Sequence, residues 1–165
     1  MSIAIPSFTS SITSNRLTTN ANEFVSALNY ARSEAVSRGI QVTVESISAT
    51  SGQWDTGWNV FVDLNGNGAF DDVDTTPCQT NADGTLAEDC LIRTYSSLPT
   101  GFTLRVGNTT AFKDRITYAA SSLSTVIATT ADAFKLCSNS GTTQRTINIG
   151  PTGRASVSET TGTCP

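Results

Sequence analysis

A short segment rich in Asp and Asn holds the side chains best suited to binding a metal ion. Between residues 63 and 74 the sequence reads Asp-Leu-Asn-Gly-Asn-Gly-Ala-Phe-Asp-Asp-Val-Asp. Ca²⁺ takes about six to eight oxygen ligands arranged around a sharp turn, which a glycine permits. Such oxygens recur at loop positions 1, 3, 5, 7, 9 and 12, in Asp63, Asn65, Asn67, the Ala69 carbonyl, Asp71 and Asp74, with Gly68 at position 6. The spacing therefore predicts a candidate calcium site.

The same segment has a second interpretation, a hairpin loop that needs no metal, because Asp, Asn and Gly all favour turns. It is a single copy that follows a strand pattern, which argues against a paired EF-hand and against a dockerin. Its carboxylates could also be half of a glycosidase-type acid pair. The sequence has no aromatic-rich sugar platform and no other isolated acidic pair to complete such a site.

The chain contains no histidine. This removes the usual general base, the Ser-His and Cys-His nucleophile pairs and imidazole metal sites. No recognisable nucleophile motif takes its place. The sequence predicts a protein that is not an enzyme.

The four cysteines are Cys78, Cys90, Cys137 and Cys164, and none forms a C-x-x-C pair. An even number of cysteines without metal-binding spacing favours two disulfides formed in an oxidising compartment. Three pairings are possible, and we favour Cys78–Cys90 with Cys137–Cys164 because each closes a short loop. The alternative is four buried thiols in a cytosolic protein.

The net charge of −4 is unevenly distributed along the chain. Residues 1–38 carry three Arg and two Glu, residues 39–92 carry nine acidic residues and no Lys or Arg, and residues 93–165 carry seven basic and three acidic residues. If the basic side chains cluster on one face, they can contact phosphate groups. The alternative is that they lie on ordinary solvated surfaces.

Two periodicities divide the chain into a helix, residues 1–38, and a β region, residues 39–165. Apolar residues at 17, 21, 24, 28, 31 and 35 form one helical stripe, which Gly39 ends. Short runs with a period of two then predict strands at 41–47, 58–63, 91–95, 102–106, 115–119, 133–137, 145–149 and 155–158. We expect an α+β fold, a single domain of residues 1–165 in which one long N-terminal amphipathic helix packs on antiparallel β-sheets. Trp54 and Trp58, either side of Gly57, are interpreted as core residues rather than as an exposed ligand-binding pair.

The chain has no apolar stretch of about 18 residues and no signal-peptide pattern. It begins with an apolar fragment, residues 1–6, that runs directly into the helical pattern. This beginning predicts that a hydrophobic segment lies upstream in the whole protein.

Several segments, in order, resemble the GspH/FimT/FimU group of minor pilins and pseudopilins. The matching residues are 4–8, 15–17, 21–39, 57–63 with the Asn-Gly-Asn-Gly that follows, 134–137 and 153–154, and the stretch Ala-Leu-Asn-Tyr-Ala-Arg-Ser-Glu-Ala at 27–35 is the most specific. The resemblance implies a pilin-like fold and an upstream leader that a prepilin peptidase cuts, followed by a transmembrane half-helix. It implies anchoring in the inner membrane with a periplasmic domain, or assembly into an extracellular pilus with other minor and major pilins. The family's late cysteine pair matches Cys137 and Cys164.

Members of this group have three roles. The resemblance implies, in order of preference, a structural minor pilin that primes or caps the type IV pilus, a DNA-binding minor pilin for natural transformation, and a pseudopilin of type II secretion. DNA-binding members share a C-terminal Gly-Arg-x-Arg, whereas this chain has Gly153-Arg154-Ala155-Ser156 and lacks the second arginine. The resemblance points to Arg154 as the DNA contact. A hairpin of strands 145–149 and 155–158 would place Arg145 at the same end.

Overall fold

The computed structural model describes residues 5–71, 78–106, 112–121, 133–139 and 143–164, with the backbone alone for residues 5–8. One helix precedes eight strands. In chain order they are α1 (Ile5–Arg38), β1 (Val42–Ser46), β2 (Trp58–Val62), β3 (Cys90–Tyr95), β4 (Phe102–Val106), β5 (Arg115–Tyr118), β6 (Phe134–Ser138), β7 (Thr143–Ile149) and β8 (Ala155–Thr161). The predicted helix and all eight predicted strands are confirmed, with shifts of a few residues at their ends.

Helix α1 buries the stripe that its sequence predicts. Leu17, Ala21, Phe24, Leu28, Ala31 and Ala35 are all within 1% of complete burial. The helix ends at Gly39, whose φ of +66° is costly for residues with a Cβ, and the Gly39 N–H donates to the Ala35 carbonyl at 3.0 Å. Arg38 lies in the last turn, where a cation interacts favourably with the helix dipole.

The strands form two antiparallel sheets of four strands each. The first has the order β3-β2-β1-β5 and the second has the order β4-β6-β7-β8. In the first sheet Val42 of β1 lies opposite both Val62 of β2 and Tyr118 of β5. Helix α1 contacts β1, β2 and β5 of the first sheet and β6, β7 and β8 of the second. The helix is therefore the element that the two sheets share.

An aromatic cluster fills the space between the helix and the sheets. The Phe24 ring centroid lies 5.5 Å from that of Trp54, 5.0 Å from Trp58 and 4.9 Å from Phe134. Both tryptophans are fully buried, and Trp54 Nε1 donates to the Lys113 carbonyl at 2.8 Å. Their interpretation as core residues is confirmed, and they are not a surface available to a ligand.

Two disulfides, Cys78–Cys90 and Cys137–Cys164, are present, and they are the pairs that short loop closure favours. The first closes the segment that leads into β3. The second joins β6 to the residues that follow β8.

No helix among the described residues is long and apolar enough to cross a bilayer. The single-domain assignment of residues 1–165 stays a prediction.

Candidate functional site

The carboxylate of Asp63 is buried at the end of β2 and is fully engaged with its own loop. Its Oδ1 accepts from the Gly66 N–H at 2.7 Å, and its Oδ2 accepts from the Gly68 N–H at 2.9 Å and from the Thr43 hydroxyl at 3.0 Å. The Thr43 hydroxyl also lies 2.7 Å from that of Thr117 on β5. Asp63 thus closes the turn and ties it to the first sheet.

The two asparagines of the loop form consecutive turns of the same kind. Asn65 Oδ1 accepts from the Asn67 N–H at 2.9 Å, and Asn67 Oδ1 accepts from the Ala69 N–H at 2.6 Å. The side-chain amides of both asparagines donate to Asp71 Oδ2. These donors, Asn65 first and then Asn67, lower the pKa of Asp71 below its usual value. The amide groups therefore present nitrogen, and not oxygen, to the carboxylate.

Asp89, which the sequence analysis did not single out, is a second buried carboxylate that holds this loop. Its Oδ1 accepts from the Leu64 N–H at 2.8 Å and its Oδ2 from the Asp71 N–H at 3.0 Å. No local pattern marks Asp89, because it acts on backbone groups about twenty residues earlier in the chain. Two carboxylates thus fix both ends of the segment by accepting its backbone N–H groups.

Arg115 of β5 covers the middle of the loop. Its Nη1 donates to the Asn67 carbonyl at 2.8 Å. Gly68 has a φ of +79°, which residues with a Cβ rarely adopt, and a Cβ there would lie 2.7 Å from Arg115 Cδ, so a larger residue would strain the backbone and displace Arg115. Next to the loop, burial raises the pKa of Glu45, while the Phe70 N–H and Arg115 act in the opposite direction.

The predicted calcium site at residues 63–74 stays a prediction, and only its residues 63–71 are described. Three of the six predicted ligands, Asp63, Asn65 and Asn67, already use side-chain oxygens to accept backbone N–H groups. Asp74 lies outside the described residues. Within the described part of the chain, no group of three or more Asp, Glu or Cys side chains has an arrangement that could hold a metal ion. Asp63 Oδ1, Asn65 Oδ1 and Asn67 Oδ1 each accept one N–H, and because such an oxygen has two lone pairs, each keeps the capacity to bind a cation.

The two predicted DNA-contacting arginines lie in the same β7–β8 hairpin but at different places. Arg154 is exposed in the turn, where the Gly150 N–H donates to the Arg154 carbonyl at 2.9 Å. The strand pair nearest the turn is Ile149 with Ala155. Arg145 lies four residues before Ile149 on β7, opposite Glu159 of β8. Arg154 lies opposite Gly150, five residues from Arg145 along β7, so at about 3.3 Å per residue roughly 17 Å separates the two arginines. The predicted hairpin is confirmed, and the prediction that it places both arginines at one end is wrong.

The Arg145 guanidinium also has partners within the protein. It is 6% exposed, its Nη1 lies 2.8 Å from Glu159 Oε2, and its Nη2 donates to Ser14 Oγ at 2.9 Å and to Thr18 Oγ1 at 3.2 Å. A guanidinium with these partners cannot reach a phosphate without breaking them. Any phosphate contact at this hairpin therefore rests on Arg154.

Other cations of the basic half are also engaged within the protein. Arg105 forms an ion pair with Asp55. Arg93 lies over the Tyr95 ring, 4.7 Å from its centroid, and 5.9 Å from the centroid of Tyr30. Some of the positively charged side chains of residues 93–165 therefore make contacts within the protein.

Comparisons with known proteins agree with this architecture. The family described as Type II transport protein GspH matches residues 20–153. Two crystal structures of the type IV minor pilin FimU from Pseudomonas aeruginosa PAO1, in space groups P21 and P65, have the same fold. They give TM-scores of 0.61 and 0.58 at 20% identity, and cover 88% and 86% of this chain and 90% and 92% of FimU. A search of curated proteins gives no match. Because the GspH match spans most of the sequence, the chain belongs to the GspH family.

Proposed function

We propose that this chain is a non-catalytic minor pilin subunit that takes part in assembling a type IV pilus by contacting other minor and major pilins. The proposal rests on one observation, a long helix whose single apolar stripe is buried by two antiparallel sheets, in a member of the GspH family. Its fold is similar to that of FimU, which is itself a type IV minor pilin. We propose further that the subunit is held in the inner membrane, with this domain in the periplasm, before it enters the pilus. The two disulfides suit an oxidising compartment.

Deletion of the gene in the source organism tests this proposal against the type II secretion alternative. We expect surface pili to be lost or reduced while protein secretion continues, and a plasmid copy to restore the pili. Loss of secretion with pili retained would identify the chain as a secretion pseudopilin instead.

DNA binding in natural transformation is a second candidate function. Arg154 supports it, because this residue is exposed in a hairpin turn and is preceded by Gly153, which has a φ of +74°. Ser156 stands where DNA-binding relatives have a further arginine, and the Arg145 guanidinium has internal partners. We therefore place this function second.

Calcium binding by the 63–74 segment also stays a prediction. A ligand that binds only the folded state raises the melting temperature with its concentration. The test compares melting curves in calcium, in magnesium and in a chelator. A rise specific to calcium would support the predicted ligand set. Coincident curves would mean that the hydrogen bonds of Asp63 and Asp89 are sufficient to close the loop.

A further inference from the structure

The upstream part of α1 is attached to the rest of the protein differently from the downstream part. Leu17 is the first fully buried apolar residue among the described side chains of the helix, and Ile12 is 40% exposed. Thr9, Ser10 and Ser11 are also exposed. Apolar packing therefore holds the helix from about residue 17 onwards, and a polar contact reaches the turn before it.

Arg145 supplies such a contact from the opposite element. It projects from β7 on the same face as Ile147 and Ile149, which are buried in the core. Its Nη2 reaches Ser14 and Thr18, which are one helical turn apart, while its Nη1 pairs with Glu159, the residue directly opposite on β8. One guanidinium thus connects the helix to both strands of the hairpin.

The geometry of this contact suits arginine in particular. The planar guanidinium donates in two directions at once, which the point charge of lysine does not do in a fixed arrangement. The Thr18 hydroxyl donates to the Ser14 carbonyl at 3.0 Å, so its oxygen is oriented to accept from Arg145. Hydrogen bonds that involve a charged partner are stronger than neutral ones, and linked bonds reinforce one another.

We propose that Arg145 is a positioning residue that fixes the upstream part of α1, residues 9–18, onto the β7–β8 hairpin and so sets the direction in which the helix leaves the β region. The contact itself does not depend on the proposed function. Its consequence for assembly rests on the proposed function, because the direction of the upstream helix relative to the β region would affect how a pilin subunit fits against its neighbours.

Amide hydrogen exchange followed by NMR tests the contact directly. In Arg145→Gln we expect the amides of residues 9–16 to exchange about tenfold faster, as the loss of a charged hydrogen bond predicts, while those of residues 24–35 change little. Arg154→Gln is the matched control, since it removes the same charge from the exposed turn of the same hairpin and should leave both regions unchanged.

A second pair of variants covers the case in which Arg145→Gln does not fold. Ser14→Ala combined with Thr18→Val removes both acceptors on the helix and leaves the Arg145–Glu159 pair in place. Thr19→Val is its control, because the Thr19 hydroxyl also donates to the carbonyl four residues earlier, at 3.0 Å, but does not bond Arg145. We expect faster exchange at residues 9–16 in the double variant and not in Thr19→Val. Unchanged exchange at residues 9–16 in the double variant would overturn the proposal, whatever the result of the pilus assay.

Discussion

The ring of Phe24 meets the ring of Trp58 edge to face, with centroids 5.0 Å apart and planes at 82°. Phe24 also lies 4.9 Å from Phe134 of the second sheet. A single helical side chain therefore contacts a central aromatic residue from each sheet. Edge-to-face aromatic pairs contribute beyond the area they bury, so this residue strengthens the packing of the helix against both sheets.

Phe24→Ala should destabilise the protein by about 3–5 kcal/mol, because it removes a fully buried ring and leaves a cavity among three other rings. Urea denaturation followed by tryptophan fluorescence measures the change, since Trp54 and Trp58 both contact Phe24. Val36→Ala on the same helix is the control. Val36 is 53% exposed, so its truncation should change the free energy of unfolding by less than about 0.5 kcal/mol. A similar small change in Phe24→Ala would contradict the packing described here.

Asp63→Asn should also be strongly destabilising, by about 3 kcal/mol, although it barely changes the size of the side chain. Both carboxylate oxygens accept from donors, and Oδ2 accepts from both the Gly68 N–H and the Thr43 hydroxyl. An amide NH₂ at either position faces a donor and leaves it unsatisfied in a buried site. Denaturant titration of Asp63→Asn beside Glu23→Gln, which neutralises an exposed carboxylate, separates lost hydrogen bonds from lost charge. Equal stability of the two variants would contradict this role for Asp63.

Asp71 should titrate at lower pH than an ordinary aspartate, because Asn65 and Asn67 donate to its ionised form. Its folded-state pKa lies below its unfolded-state pKa. The stability it contributes is therefore fully present above the unfolded-state pKa and is lost as pH falls through the folded-state pKa. An NMR titration of the side-chain carboxyl carbons measures the pKa, and Asn65→Ala should raise it towards the usual value of about 3.9.

Asp83 provides an internal control for that titration. Its pKa is also lowered, but by bonds from Thr85 in a different loop. Asn65→Ala should leave the pKa of Asp83 where it was. If Asp71 in the unmodified protein titrates at or above the usual aspartate value, the hydrogen bonds from the two asparagines are absent in solution.

Local periodicity explains why so much of the fold could be predicted. All six positions that the apolar spacing of α1 identified are buried, although the stripe did not include the buried Ala27, and alternation located all eight strands. Sheet membership could not be predicted in this way. β4 and β5 are neighbours in the chain, yet they belong to different sheets, because pairing depends on long-range packing that the local pattern does not contain.

The candidate site was predicted less well because hydrogen-bond partners are not visible in a list of residue types. Charge alone grouped Arg145 with the other basic residues of the C-terminal half. Its spacing of two from Ile147 and four from Ile149 places it on the buried face of β7, and this pattern could have identified it as internal. For Asp63 the sequence identified an oxygen-rich loop but could not say whether backbone N–H groups or a cation would occupy those oxygens.

DNA binding should depend on Arg154 and should be weak. One exposed arginine in a turn offers few phosphate contacts, and non-specific binding at physiological salt has dissociation constants of about 10⁻⁴–10⁻⁶ M. We expect affinity at the weak end of this range or no measurable binding, with a shallow dependence on salt. Fluorescence anisotropy with labelled duplex DNA at two salt concentrations measures both quantities.

Arg154→Ala should abolish whatever binding is measured, and Arg16→Ala is its control. Arg16 is an exposed arginine of α1, so the control removes the same charge from a different surface. Equal weakening by both variants would mean that binding follows net charge and not the hairpin turn. Sub-micromolar binding at physiological salt that Arg154→Ala abolishes and Arg16→Ala preserves would reverse our ranking. A single exposed arginine cannot supply that affinity, so other cations would have to contribute, and DNA uptake would then be the better assignment for this subunit.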